Sequence, residues 1–135
     1  MNARPFLDTN VVLYAFREGD SRSWKAEALL AEGGAISVQV LNEFVSVARR
    51  KLNKSWEEVG HALRILRVFF SEPAPVTVKT HDIAISIAKR YGYSIDDGLI
   101  LASALETGCN IVYSEDLQDG QVIERNLTIR NPFRN

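Results

Sequence analysis

Apolar positions along the chain follow two rhythms. Short runs of strand length occur at Pro5-Phe6-Leu7, Ala35-Ile36-Ser37, Val76-Thr77-Val78 and Ile111-Val112-Tyr113, and weaker strand candidates at Val122-Ile123 and Leu127-Thr128-Ile129. Between them apolar residues recur every three or four positions, the spacing of one helix face. Ser21 to Glu32 reads as a helix with Trp24, Ala28 and Ala31 on one side and Gly33-Gly34 as its stop. Val38 to Leu52 carries Leu41, Phe44, Val45, Ala48 and Leu52 at helical spacing. Ser55-Trp56-Glu57-Glu58 has the form of a capping box, and the helix it opens bears Val59, Leu63, Leu66 and Phe70.

Pro73 and Pro75 break that pattern, and Thr80 is expected to cap a helix with Ile83, Ile87, Ala88 and Tyr91 inward. Ser94-Ile95-Asp96-Asp97 opens a further helix, Gly98 to Thr107, apolar almost all round and so expected to be buried, with Gly108 as its end. Near the start, Asp8-Thr9-Asn10 interrupts an apolar stretch, which predicts strand, sharp turn, helix. Short apolar strands alternating with helices predict an α/β domain with a mainly parallel sheet of about four or five strands and helices on both faces.

Composition narrows the class. The 135 residues suit one domain spanning 1–135, long enough to fold without a disulfide or a structural metal. Sixteen Lys+Arg against seventeen Asp+Glu give a formal charge of −1, which excludes a strongly basic nucleic-acid coat but not local contact with nucleic acid. A single cysteine, Cys109, suits a reducing cytoplasm, and neither a membrane span nor a secretory leader is expected from the apolar runs.

The informative chemistry lies in four acids. Asp8 follows the first strand, Glu43 sits early in the helix after the second, Asp97 begins the buried helix, and Asp116 lies past the strand Ile111–Tyr113. In open α/β sheets ligands bind beyond the carboxyl ends of the strands, and all four positions converge on that edge. Singly, each has an ordinary reading as a cap, a capping-box partner, a turn former or a surface acid. Together they repel, so they must protonate or be neutralised. Few basic residues adjoin these motifs, and an all-oxygen set suits Mg²⁺ or Mn²⁺, whereas two histidines and one cysteine at scattered positions make no zinc site. Asn10 and Ser114 stand beside Asp8 and Asp116, placed either to hold carboxylates and water or to form turns.

The segments Phe6-Leu7-Asp8-Thr9-Asn10-Val11, Asn42-Glu43-Phe44, Asp97-Gly98-Leu99-Ile100-Leu101-Ala102 and Ile111-Val112-Tyr113-Ser114-Glu115-Asp116 resemble, in order and spacing, the motifs of the PIN-domain family. The likeness covers nearly the whole chain and is greatest to VapC-type toxins, the ribonuclease halves of toxin–antitoxin pairs. It implies a three-layer α/β/α domain and a Mg²⁺- or Mn²⁺-dependent endoribonuclease with one or two ions per site. By the same likeness Asp8 and Asp97 would be the primary metal ligands, Glu43 and Asp116 would complete the acidic site, and Asn10 and Ser114 would support it. The chain departs from the family pattern in two places: Asp96 precedes Asp97, and the acid after Asp116 is Asp119, one position later than is common. Both leave the ligand set open by one residue.

The resemblance also implies an RNA substrate, a small antitoxin partner and a homodimer. With net charge near zero, RNA contact would rest on local clusters: Arg49-Arg50-Lys51 with Lys54, Arg64 with Arg67, or Lys89-Arg90, each of which also reads as a solvated helix face. Trp24, Trp56, Phe69 and Phe70 read either as core or as a partner patch, and His61 and His81 as surface residues. Two rival functions stand beside this one. A non-catalytic RNA- or protein-binding module would keep the fold without turnover. Phosphotransfer through an aspartyl-phosphate on Asp8 is disfavoured, because haloacid-dehalogenase-like enzymes carry an Asp where this chain has Asn10 and receiver domains place their acceptor later in the chain.

Overall fold

A computed structural model describes residues 4–134. It contains, in chain order, β1 (Phe6–Leu7), α1 (Thr9–Ala15), α2 (Ser23–Glu32), α3 (Val38–Arg50), α4 (Trp56–Phe69), α5 (Val78–Tyr91), α6 (Ile95–Glu106), β2 (Ile111–Tyr113), β3 (Val122–Ile123) and β4 (Leu127–Arg130). The strands form one sheet in the order β1-β2-β4-β3. Pairing is parallel between β1 and β2, with Leu7 opposite Tyr113, and between β2 and β4, with Tyr113 opposite Arg130. Among the described residues only the β3–β4 hairpin is antiparallel. The mainly parallel sheet expected from the sequence is present, and both residues of β1 are fully buried, as strands covered on both faces require.

Two expected strands take another form. The segment at Ala35–Ser37 forms single parallel bridges, one from Ala35 to Phe6 of the sheet and one from Ser37 to Ala74 in the connection between α4 and α5, rather than a full strand. Ser37 is needed at once as the N-cap of α3, its hydroxyl accepting from Val40 N at 3.2 Å, so the ladder has no room to continue. The expected strand Val76–Val78 is absent. Thr77 is the N-cap of α5 and Val78 its first residue, while Thr80, expected as the cap, closes the capping box from inside the helix.

Helix α2 is turned the other way from expectation. Ala26, Leu29 and Leu30 face the core, and Trp24 is 71% exposed, with Ala28 and Ala31 also at the surface. Two sets of positions on this helix have helical spacing, and only packing selects between them. Of the other undecided aromatics, Phe70 is buried whereas Trp56 and Phe69 are exposed. His61 and His81 lie on the surface, as read from the sequence.

Helices α5 and α6 form an antiparallel pair. The start of α5 meets the end of α6 where the Thr80 hydroxyl donates to Glu106 at 2.6 Å, and Gly98 near the start of α6 lies against Ala84. A Cβ at Gly98 would stand 2.6 Å from the Ala84 carbonyl oxygen, so only glycine permits this approach of the two backbones. That contact fixes the height of the first turn of α6, and with it the position of Asp97. Ile100, Leu101, Ala102 and Ala104 beyond it are buried, as the apolar character of this helix predicts.

Candidate active site

The acids converge through the parallel sheet. β1 and β2 run side by side in the same direction, so Asp8 and Ser114, each one residue past its strand, emerge together at the carboxyl edge. Ser114 is fully buried and its hydroxyl donates to Asp8 Oδ2 at 2.7 Å. The same hydroxyl accepts from the backbone N–H groups of Asp116 and Leu117, at 3.2 and 3.1 Å, and so shapes the turn that carries Asp116. Asp8 occupies the N-cap position of α1, but its carboxylate accepts from Thr9 N, at 2.7 Å, rather than from a residue one turn into the helix. Capping alone therefore does not account for its orientation.

Around this pair lies an open cleft of roughly 520 Å³ lined by Asp8, Glu43, Asp96, Asp97 and Asp116, with Thr9, Asn10, Gln39, Asn42, Ser46, Val47, Ser94 and Arg50 completing the wall. The four acids singled out in the sequence thus share one cleft, together with Asp96. Asn10 donates its amide to Asp116 Oδ2, joining the first turn of α1 to the loop after β2. Glu43, half-buried on α3, accepts from the Thr9 hydroxyl at 2.6 Å and from Gln39 Nε2 at 3.1 Å. Gln39 also reaches Asp96 Oδ1 at 3.3 Å, bridging α3 to α6.

Ser94 caps α6 by accepting from Asp97 N at 3.1 Å, the first half of the capping box expected there. The reciprocal half forms in α4 and α5 but is not made in α6, which leaves the Asp97 carboxylate to the cleft. Asp119 lies apart. Its carboxylate accepts from Asn131 N at 2.8 Å and from Arg134 at 3.2 Å, tying down the C-terminal segment.

Crowding shows in the acidities. Burial pushes Asp8 up to about 7, the neighbouring charges of Glu43 and Asp97 adding to the rise against the opposing hydrogen bonds from Ser114 and Thr9. Glu43 and Asp97 are raised as well, each chiefly by burial and further by nearby carboxylates. Among the described residues none of the five cleft acids is ion-paired. The site is short of positive charge, and its donors are oxygens, which matches a hard divalent cation in kind. Among the described residues no three His, Cys, Asp or Glu side chains draw close enough to enclose an ion by themselves. Water would have to supply part of any coordination shell.

Sequence reasoning missed Thr9, Gln39 and Ser46 as members of the cleft. The signal was present: Gln39, Glu43, Ser46 and Arg50 recur at the spacing of one helix face on α3, a polar stripe beside an apolar one.

A family model described as PIN domain matches residues 6–119. The fold resembles that of the Mycobacterium tuberculosis toxin VapC20, described as Sarcin-Ricin loop cleaving, at 24% identity over 82% of this chain and 88% of that one, with a TM-score of 0.65. It resembles Rickettsia felis VapBC2, solved bound to a DNA fragment from its promoter, at 23% identity over 93% and 96% of the two chains, TM-score 0.66. A toxin–antitoxin complex from Klebsiella pneumoniae is similar at 17% identity over 97% and 99%, TM-score 0.73. Among curated proteins no match was found.

Proposed function

The chain belongs to the PIN domain family, and on that premise we propose that it is a Mg²⁺- or Mn²⁺-dependent endoribonuclease, the toxin of a toxin–antitoxin pair. The observation that carries the reading is the set of five cleft acids, unpaired among the described residues, at the carboxyl edge of a parallel sheet. Such a set is costly in a folded protein unless a cation is held there.

A divalent cation, when bound, supplies the positive charge these carboxylates lack and an acidified water for attack on phosphorus. Asp8 and Asp97 would be its principal ligands, with Glu43 and Asp116 completing the set. Neighbouring polar groups hold three of these four in place. Ser114 and Thr9 N orient Asp8, the Thr9 hydroxyl and Gln39 orient Glu43, and Asn10 orients Asp116. Among the described residues the cleft is lined by no cysteine or histidine, and of its serines Ser94 is taken up as the cap of α6, so hydrolysis by water is the chemistry the cleft suits.

Two of the similar structures are a VapBC pair and a toxin–antitoxin complex, which supports a small antitoxin as partner. A largely apolar groove of about 390 Å³ between α1, α3 and α4, lined by Leu13, Phe16, Phe44, Ala48, Leu52 and Val59 together with Lys54, Glu57, Glu58, His61 and Arg64, is a surface such a partner would cover. The exposed Trp24, Trp56 and Phe69 fit a chain that also pairs with a second copy. Among the described residues no helix is long and apolar enough to cross a membrane.

The test is cleavage of a mixed RNA pool by the purified, partner-free chain with Mg²⁺ or Mn²⁺ and with EDTA, beside Asp97→Asn. Cutting by wild type with metal, and by neither the variant nor the chelated protein, would support the reading. Folded protein that cuts under no metal would replace it with a binding module.

A further inference from the structure

Thirteen side chains line the acidic cleft, and one of them is basic: Arg50, in the last turn of α3. It stands seven residues beyond Glu43, two helical turns along the same face and roughly 10 Å further down the helix axis. Several other arginines are engaged. The Arg49 guanidinium donates to the Lys54 carbonyl at 2.9 Å and lies 4.5 Å over the Trp56 ring. Arg22 is held between Asp20 and Glu115, Arg90 pairs with Glu124, and Arg134 with Asp119. Arg50 makes no ion pair or side-chain hydrogen bond among the described residues, although it shares a cleft with five acids.

An unengaged guanidinium at the rim of an anionic cleft keeps its donors for an anion that must enter there. The cleft wall contains no aromatic ring, so bases find no stacking platform inside it and contact there is with the strand's backbone. We propose that Arg50 binds a phosphate of the RNA strand next to the one being cut, so that the strand enters along α3 from its C-terminal end. The proposal rests on the ribonuclease reading above and names the substrate contact of that same cleft. An ordinary role is also available to Arg50, since a basic residue in a last helical turn complements the helix dipole. That role affects stability and leaves RNA affinity untouched.

The test measures binding of a labelled single-stranded RNA to the full chain by fluorescence anisotropy, with Ca²⁺ in place of Mg²⁺, for wild type, Arg50→Ala, Arg50→Lys and Lys79→Ala. Lys79 is an exposed cation outside the cleft lining, and its replacement controls for the loss of one charge. The expected result is an affinity about tenfold lower in Arg50→Ala, partly recovered by lysine. The slope of log affinity against log salt should fall by about 0.7, as for one lost phosphate contact on a single strand. Mn²⁺ affinity, read by calorimetry, should be the same in Arg50→Ala and wild type. Arg50→Ala binding RNA as tightly as Lys79→Ala would overturn the proposal while leaving the nuclease reading in place. Wild-type protein that neither binds nor cuts RNA would overturn the nuclease reading, and the Arg50 contact with it.

Discussion

Tyr14 and Glu115 are joined across the fold: the phenol of α1 donates to the carboxylate that directly precedes Asp116. One turn earlier on the same helix, Asn10 holds Asp116 itself. The Arg22 guanidinium lies 4.0 Å over the Tyr14 ring and donates to both Glu115 oxygens at 3.0 Å, while its remaining edge grips Asp20 at 2.9 Å. Arg22 thus closes a cluster of two acids and a phenol next to the residue that enters the cleft, with Arg17 more loosely placed 3.8 Å from Asp20 and 5.7 Å over the Tyr14 ring. Its marks are an Asp20 lowered to about 2 by the Arg22 hydrogen bonds and a Tyr14 raised to about 12 by burial and by Glu115.

From this cluster we expect Arg22→Met to lower Tm by roughly 3–6 °C, and Tyr14→Phe to lower it by less. The double variant should fall short of the sum, because both act through Glu115. Thermal melts of the four proteins check this; strict additivity would mean that the two side chains act independently. If Asp116 serves the cleft, Arg22→Met should also reduce turnover, since Glu115 and Asp116 move together.

Asp8 makes stability depend on pH in an uncommon direction for a carboxylate. Its pKa rises from 3.8 to about 7 on folding, so between those values the unfolded chain has released a proton that the folded chain retains. Stability is therefore greatest at and below about pH 4 as far as this group is concerned, and is lost as pH rises toward 7, by up to a few kcal/mol. In EDTA, Asp8→Asn should be less stabilised by acid than wild type, and at pH 7.5 it should melt at or above the wild-type temperature. Added Mn²⁺ should raise the wild-type Tm more at pH 7.5 than at pH 5, and its uptake should release protons measurable by calorimetry in two buffers. A wild-type Tm that rises from pH 5 to 7.5 in EDTA would show that other groups outweigh Asp8.

At Gly98 the expectation is steric. Gly98→Ala would drive a methyl to 2.6 Å from the Ala84 carbonyl oxygen, and relief requires α5 and α6 to separate. A loss of about 1–3 kcal/mol in urea unfolding is expected, although alanine is the better helix former at an unconstrained site. A stabilised variant would mean that the helices yield freely, and that this contact does not set the height of Asp97.

Asp116 and Asp119 are separable by their partners. Asp119→Ala removes the acceptor of Asn131 N and the partner of Arg134, so it should cost about 1 kcal/mol of stability and leave Mn²⁺ affinity unchanged. Asp116→Ala should weaken Mn²⁺ binding with little effect on the melt. Calorimetric titration of both variants decides; equal losses of affinity would bring Asp119 into the cation site.

Much of this was readable along the chain because it rests on local chemistry. Ser55 with Glu58, and Ser94 with the Asp97 N–H, are capping relations within one helical turn, visible as spacing. The buried helix after Asp97 follows from apolar residues on every side. The α/β reading follows from runs too short for helices between patterns too long for strands.

What failed did so where two local solutions are nearly equal. Val76–Val78 is β-branched and strand-like, yet Thr77 and Thr80 satisfy each other's backbone groups as a capping box and start the helix there. On α2, Trp24-Ala28-Ala31 and Ala26-Leu29-Leu30 are both helical faces, and hydrophobicity alone does not say which meets α1.

The sequence by itself determined the alternation of short strands with helices, the capping residues of α4 and α6, and the placing of four acids next to strand ends or on early helical turns, since each depends on neighbours within a few residues. The tertiary structure alone decided that Ser114 reaches Asp8 across 106 positions, that Gln39 bridges α3 to Asp96, and that Arg50 shares the acidic cleft while Arg49 lies against Trp56. Those outcomes depend on sheet register and on the rotation of each helix about its axis. Both are set by the sum of many packing contacts, which no short stretch of sequence contains.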